Sequence, residues 1–247
     1  MQLTVLGCYG PYPKAGAACS GYLLQMEGTN LLLDCGNGVL SRLQEWIAFH
    51  TLDAVILSHL HADHISDLMI MRYGLEMAFN EGLRKEPLPL FAPGEPESEY
   101  ARLPYKHAYE VVNLGELQKV TIGPFSVITG FGVHAVPSLA VRIESSRGIL
   151  TYSGDTEYND SLLEMAKGAD LFLCEANYLN EDIELGLPNH LSSAQAARAA
   201  SAAGVKRLIL THHHPERDLQ LALAEAEKYF PGAELAREGA RYSIGII

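Results

Sequence analysis

Residues 54 to 64 read Ala54-Val55-Ile56-Leu57-Ser58-His59-Leu60-His61-Ala62-Asp63-His64. The first four are apolar, partly branched and too few for a helix, so they predict a short buried strand. The next seven hold three histidines and an aspartate in a turn, and the apolar spacing beyond predicts a helix from roughly Ile65 to Phe79. Those residue types at those spacings arise by chance in about one chain in a thousand of this composition. Imidazole and carboxylate are the ligands that Zn(II) and its neighbours accept, and a turn can aim adjacent side chains inward where a strand would alternate them. A capped helix start with solvated histidines is the plainer alternative, and the density of ligand types weighs against it.

Four residues do not complete two metal sites, so further ligands are expected at the ends of other strands. On the N-terminal side, Leu3-Thr4-Val5-Leu6, Gly21 to Met26 and Asn30 to Leu33 read as strands, the last two joined by a Glu27-Gly28-Thr29 turn. Val39, Leu40, Leu43, Trp46 and Ile47 then fall at helical spacing. On the C-terminal side, Phe125 to Ile128, Leu139 to Ile143 and Gly148 to Tyr152 are strand-like, and from Pro87 to Pro124 only one or two short strands are expected. Later segments alternate. Leu171 to Leu173 and Leu208 to Leu210 are buried strands, Ser161-to-Glu164 and Ser192-to-Gln195 have capping-box spacing, Gly168 and Gly204 suit C-caps, and a last helix runs from Asp218 to Phe230. Three ligand candidates follow strands directly: His134 after Gly132-Val133, Asp155 in Ser153-Gly154-Asp155 and His212 after Leu210-Thr211. With the first cluster they make five histidines and two aspartates, enough for two metals if one aspartate bridges.

The 247 residues can bury a large core without disulfides, and the four cysteines (Cys8, Cys19, Cys35, Cys174) form no Cys-x-x-Cys pair, which suits reduced, buried thiols. Eighteen basic against thirty acidic residues give a formal charge of −12, which opposes broad nucleic-acid binding through phosphates. An anionic substrate must then be drawn locally, by a bound cation or a small pocket. No apolar run approaches the length of a membrane span, and no basic stretch precedes the apolar residues at the start, so a cytoplasmic location is expected. Strand-rich stretches followed by helices in both halves fit two sheets face to face with helices outside.

On these landmarks the chain resembles the metallo-β-lactamase superfamily over nearly its whole length. The resemblance implies a single α/β domain over 1–247, an αββα four-layer sandwich of two mixed sheets. It also implies His59, His61 and His134 on one metal, Asp63, His64 and His212 on the other, Asp155 between them, and Asp34 as a buried support. A histidine at His61, where flavodiiron-type members carry glutamate, favours a hydrolytic centre. An aspartate at Asp155, where true β-lactamases carry cysteine, argues against antibiotic hydrolysis. Within the superfamily the chain is most similar to the ribonuclease Z group and its small phosphodiesterase relatives, whose His-x-Ser/Thr element matches Asn189-His190-Leu191-Ser192.

Two divalent ions are therefore expected, Zn first, with Mn, Fe and Co also suited to these ligands. The reaction expected is hydrolysis of a phosphodiester by a metal-bridging hydroxide, with Asp63 and His190 as catalytic residues and His190 serving the leaving group. The substrate expected is a small anion or a nucleotide or oligonucleotide phosphodiester. Neither a membrane nor an extended nucleic-acid surface is expected, and the resemblance is compatible with a homodimer. Ribonuclease Z carries a long basic arm between the third histidine and the bridging aspartate. Here His134 and Asp155 are 21 positions apart, which leaves no room for it. Transfer-RNA 3′ processing without that arm, thioester or lactone hydrolysis of the glyoxalase II kind, and a non-catalytic metal-stabilised binding protein are the alternatives. Asp67, one helical turn after Asp63, is a candidate to orient a ligand imidazole. His213 and His214 read as supporting or solvated residues, and His50 and His107 as loop residues.

Overall fold

The computed structural model describes residues 1–115 and 118–245. Strand β1 (Gln2–Gly7) pairs antiparallel with β2 (Gly21–Met26), which turns into β3 (Thr29–Leu33). From β3 the sheet continues with parallel pairing through β4 (Ala54–Ile56), β5 (Leu88–Ala92) and β6 (Tyr109–Asn113), and β14 (Arg241–Ser243) closes its other edge. The second sheet repeats the scheme. β7 (Lys119–Ile122), β8 (Phe125–Phe131), β9 (Leu139–Ser145) and β10 (Gly148–Tyr152) are antiparallel, and β11 (Leu171–Glu175), β12 (Leu208–Thr211) and β13 (Glu234–Leu235) follow β10 in parallel.

Parallel neighbours need crossovers, and the helices supply them. α1 (Val39–Leu43) links β3 to β4, α2 (Ala62–Ile65) and α3 (Leu68–Asn80) link β4 to β5, and α4 (Glu97–Tyr100) links β5 to β6. In the second half α5 (Asp160–Ala166), the pair α6 (Asn180–Glu184) and α7 (Ser193–Ala203), and α8 (Leu219–Glu227) do the same.

Alternation along each strand sorts the apolar side chains into three layers. Leu31, Leu33, Tyr22, Ile56, Val141, Tyr152, Leu173 and Ile209 meet between the sheets. Leu32, Leu23 and Val55 point the other way, against Val39, Leu43, Met71 and Leu75 of α1 and α3. Phe172, Leu208 and Leu210 pack on Leu162, Met165, Ala196 and Ala200 of α5 and α7. Three apolar layers between four structural layers make the expected αββα sandwich, and each fully buried leucine contributes about 1.5–3 kcal/mol. All four cysteines are buried and free. No described helix is long and apolar enough to cross a membrane.

Several boundaries differ from the sequence reading. Between Pro87 and Pro124 three strands form, not one or two, because a proline (Pro89) is tolerated inside β5; residues 116 and 117 of that stretch lie outside the described residues. The first helix ends at Leu43, although Trp46 and Ile47 keep helical spacing, because the chain tightens into turns there. The helix expected from Ile65 is two pieces, broken at Ser66-Asp67. Asn159, not Ser161, caps α5, accepting from the Leu162 amide at 2.9 Å. Ser192 and Gln195 do form the capping box of α7, and Asp218 caps α8.

Candidate metal centre

β3, β4, β10, β11 and β12 are joined by parallel ladders within their sheets, so the loops after them gather along one rim. Asp34, the first residue after β3, is fully buried with a left-handed φ of 55°. Its Oδ1 accepts from the Ser58 amide at 2.7 Å, and its Oδ2 accepts from Ser58 Oγ at 2.8 Å and from the Tyr152 hydroxyl at 2.7 Å, with His64 Nδ1 at 2.8 Å. One carboxylate thus fixes the turn after β4, the His64 ring and a tyrosine of the opposite sheet. With Nδ1 held there, the Nε2 of His64 is turned toward the rim.

His59, His61 and His134 present ligand atoms within 4.8 Å of one another. His61 Nδ1 lies 3.1 Å from both His59 Nε2 and His134 Nε2. Nitrogens bound tetrahedrally at 2.0–2.1 Å to one zinc would stand about 3.3 Å apart, close to that spacing. His134 is aimed by its Nδ1, 2.8 Å from the Asn189 carbonyl. Asp63, His64, Asp155 and His212 form a second group with the same 4.8 Å limit. Asp155 lies between the two: its Oδ2 is 3.2 Å from His212 Nε2, 3.4 Å from His64 Nε2 and 3.8 Å from His59 Nε2. All seven residues singled out in the sequence therefore lie together.

The electrostatics suit a cation. Burial drives His59 well below the usual histidine range, lowers His61 and His134, and takes His212 down to about 4, so these rings are neutral at pH 7 and free to take a cation. Burial also pushes against His64, but the carboxylates of Asp155, Asp63 and Asp34 outweigh it and hold that ring well above its ordinary value. Burial opposes the charge on Asp155, yet His212, His64 and His59 hold it well below the usual carboxylate range. His64 Nε2, His212 Nε2 and Asp155 Oδ1 are buried without a hydrogen-bond partner among the described residues. Orphaned buried polar atoms are costly, and these three belong to residues of the second group, whose spacing fits a divalent cation.

His190 joins the cluster from the loop before α7. Its ring stacks on His212 at 5.4 Å between centroids, and its Nδ1 lies 3.1 and 3.2 Å from the two carboxylate oxygens of Glu175. Burial disfavours its charge, but Glu175, Asp155 and Asp63 prevail and raise its pKa to about 9. Glu175 is the residue that the sequence reading missed. It ends β11, is fully buried, and also accepts from the amides of Thr156 at 2.6 Å and Leu191 at 3.3 Å. The strand-end rule that found Asp155 and His212 would have found it had β11 been carried two residues past Leu173.

Asp67 does not orient a ligand: its Oδ2 accepts from the Leu40 amide at 2.8 Å, tying α3 to α1. His213 is buried, with Nε2 3.1 Å from the Ala236 carbonyl, and His107 stacks on Phe79. A cleft of about 370 Å³, lined in part by Pro93, Asn113, Leu114, Phe131 and Pro137, opens beside the loop that carries His134.

A family model described as a beta-lactamase superfamily domain matches residues 29–213, a span that holds every candidate ligand. A Bacillus subtilis protein named "Probable metallo-hydrolase YhfI" is 35% identical over 212 residues, 86% of each chain. The crystal structure of YhfI, described as a metallo-beta-lactamase fold protein, superposes with a TM-score of 0.93 at 33% identity over 98% of each chain. A ribonuclease Z of Lachnoclostridium phytofermentans is 25% identical over 296 residues, 96% of each chain. A diphosphatase of the PhnP family shares the fold, with a TM-score of 0.76 at 19% identity.

Proposed function

This chain belongs to the beta-lactamase superfamily, and on that premise we propose that it is a dinuclear metal-dependent hydrolase of phosphodiesters. The observation that carries the reading is the meeting of His59, His61, Asp63, His64, His134, Asp155 and His212 with three buried polar atoms among them left unpartnered. In it, His59, His61 and His134 hold one ion, Asp63, His64 and His212 the other, and Asp155 serves both. Zn(II) is the first choice, given imidazoles and carboxylates gathered in a buried site. Bound there, two such ions supply Lewis acidity and lower the pKa of a water molecule.

The protein's own groups do the rest. Asp34 and Ser58 keep the histidine turn rigid, so no reorganisation accompanies reaction. Glu175 takes the Nδ1 proton of His190 as a hydrogen bond and leaves Nε2–H free to donate. His190, charged at neutral pH, gives that proton to the departing oxygen. Two cations against two aspartates keep the centre positive in an acidic protein, which favours an anionic substrate. The name of the ribonuclease Z relative and the fold shared with a diphosphatase support phosphoryl chemistry. The stretch between His134 and Asp155 is spent on the β9–β10 hairpin, which supports a small diester over transfer RNA.

The test is metal analysis of purified protein together with hydrolysis of bis-p-nitrophenyl phosphate and of a thioester panel. Two equivalents of metal with preference for the diester are expected. Preference for thioesters would move the reading to carbonyl chemistry, and two metals without any hydrolysis would leave a binding protein.

A further inference from the structure

His212 is the proposed ligand whose backbone is least at ease. Its φ is 54°, in the left-handed region that a residue with a β-carbon rarely adopts, and it is buried. Such a conformation persists only where the surroundings over-determine it. Three contacts do so. Ser20 Oγ lies 3.2 Å from Nδ1. Gly10 lies against the ring so closely that a β-carbon built on it would stand 1.9 Å from Cε1, and its amide donates to the His213 carbonyl at 3.1 Å. Asn177, itself buried, donates from Nδ2 to the His212 carbonyl and to the Gly10 carbonyl, 2.9 Å each.

A single amide nitrogen thus bridges the strained ligand and the segment packed on its ring. Of the side chains of this length, only asparagine offers two donors on one atom; aspartate offers none. Resting on the two-cation reading above, we propose that Asn177 and Gly10 are positioning residues for His212. Together they keep its backbone left-handed with Nε2 toward Asp155, and so set the affinity of the Asp63, His64, Asp155 and His212 cluster while supplying no ligand atom. The His59, His61 and His134 cluster touches neither residue and should not respond.

The experiment is a titration of the metal-stripped full-length protein with Zn(II) against a chromophoric chelator, for wild type, Asn177→Ala, Asn177→Asp and Gly10→Ala. The melting temperature of each metal-free protein, measured alongside, separates loss of fold from loss of a ligand. We expect two equivalents in the wild type. In the variants the first should bind as before and the second roughly ten- to a hundredfold more weakly, the range for groups that orient a ligand. Two equivalents at wild-type affinity in the Asn177 variants would overturn the assignment, as would equal weakening of both. If Asn177→Ala does not fold, Asn177→Asp, which keeps the volume, and Gly10→Ala decide. A wild type that takes up no metal overturns the proposed function itself and this assignment with it; normal wild-type uptake with unchanged variants overturns this assignment alone.

Discussion

Replacing Glu175 by glutamine removes one charge from the centre and keeps its volume. Its carboxylate oxygens stand 3.1 and 3.2 Å from His190 Nδ1. A full ion pair at that distance would be worth about 5 kcal/mol at an effective dielectric of 20. The same carboxylate also serves the backbone amides of Thr156 and Leu191, so the smaller figure for an adjacent opposite charge, roughly 1–3 pKa units, is the better guide. His190 donates a proton in the proposed reaction, so activity falls as pH rises through its pKa. Without Glu175 that pKa drops, and the alkaline limb of the kcat/KM profile should move down by roughly 1–3 pH units. From a starting value of about 9, turnover at pH 8 should fall roughly 2- to 100-fold. The assay uses two substrates. A dinucleotide leaves as an alkoxide that needs the proton, whereas bis-p-nitrophenyl phosphate leaves as a weakly basic phenolate that does not. The loss should be confined largely to the dinucleotide. An unmoved alkaline limb, or equal losses on both diesters, would refute the assignment of His190 and Glu175 as a proton-donating pair.

Two further outcomes follow from the geometry. Zn(II) supplied at a thousand times its Kd should add about 4 kcal/mol to folding, a rise of roughly 8–16 °C in Tm for a chain of this size. Calorimetry with and without a chelator reads this, and superimposable melts would contradict the metal centre. Away from the centre, hydrogen bonding from Arg217, outweighing burial, lowers the pKa of Asp182, whose Oδ1 lies 2.8 Å from an Arg217 nitrogen. A depressed carboxylate pKa stabilises the fold at pH values above the unfolded value near 3.9, and that gain is lost as pH falls through the folded value. Arg217→Met should therefore cost about 1–2 kcal/mol in urea melts at pH 7, between exposed and buried pairs, and converge with wild type toward pH 2. The same cost at both pH values would show that packing, not charge, is the cause.

The candidate site was legible in the sequence to the extent that its residues are local or end a strand. His59 to His64 lie within one turn, and His134, Asp155 and His212 each follow an apolar run whose direction the alternation reveals. Glu175 escaped because the strand read from the sequence stops at Leu173, two residues short of it. The amides that make a buried carboxylate tolerable come from Thr156 and Leu191, far away in the chain. Asp67 misled for the opposite reason: helical spacing placed it one turn from Asp63, but its carboxylate is taken by the Leu40 amide, 27 residues away in the chain. The first helix was overdrawn because turns closed by the Glu45 and Trp46 amides on carbonyls three residues back keep Trp46 and Ile47 against the same core that a longer helix would have used. The four-layer order was readable since Leu32 and its neighbours Leu31 and Leu33 alternate between cores, a pattern that only a sheet covered on both faces requires.

The hydrogen bond from Tyr152 to Asp34 joins one half of the molecule to the other beneath the histidines. Chemistry here is anchored in the seam, while the cleft beside Phe131 is lined largely by the loops after β5 and β6, which carry none of the seven clustered residues. Mutation can therefore redraw what this protein accepts, exchanging loop after loop, without disturbing the apparatus that cuts. A library confined to those loops is the natural starting material for steering it toward new substrates.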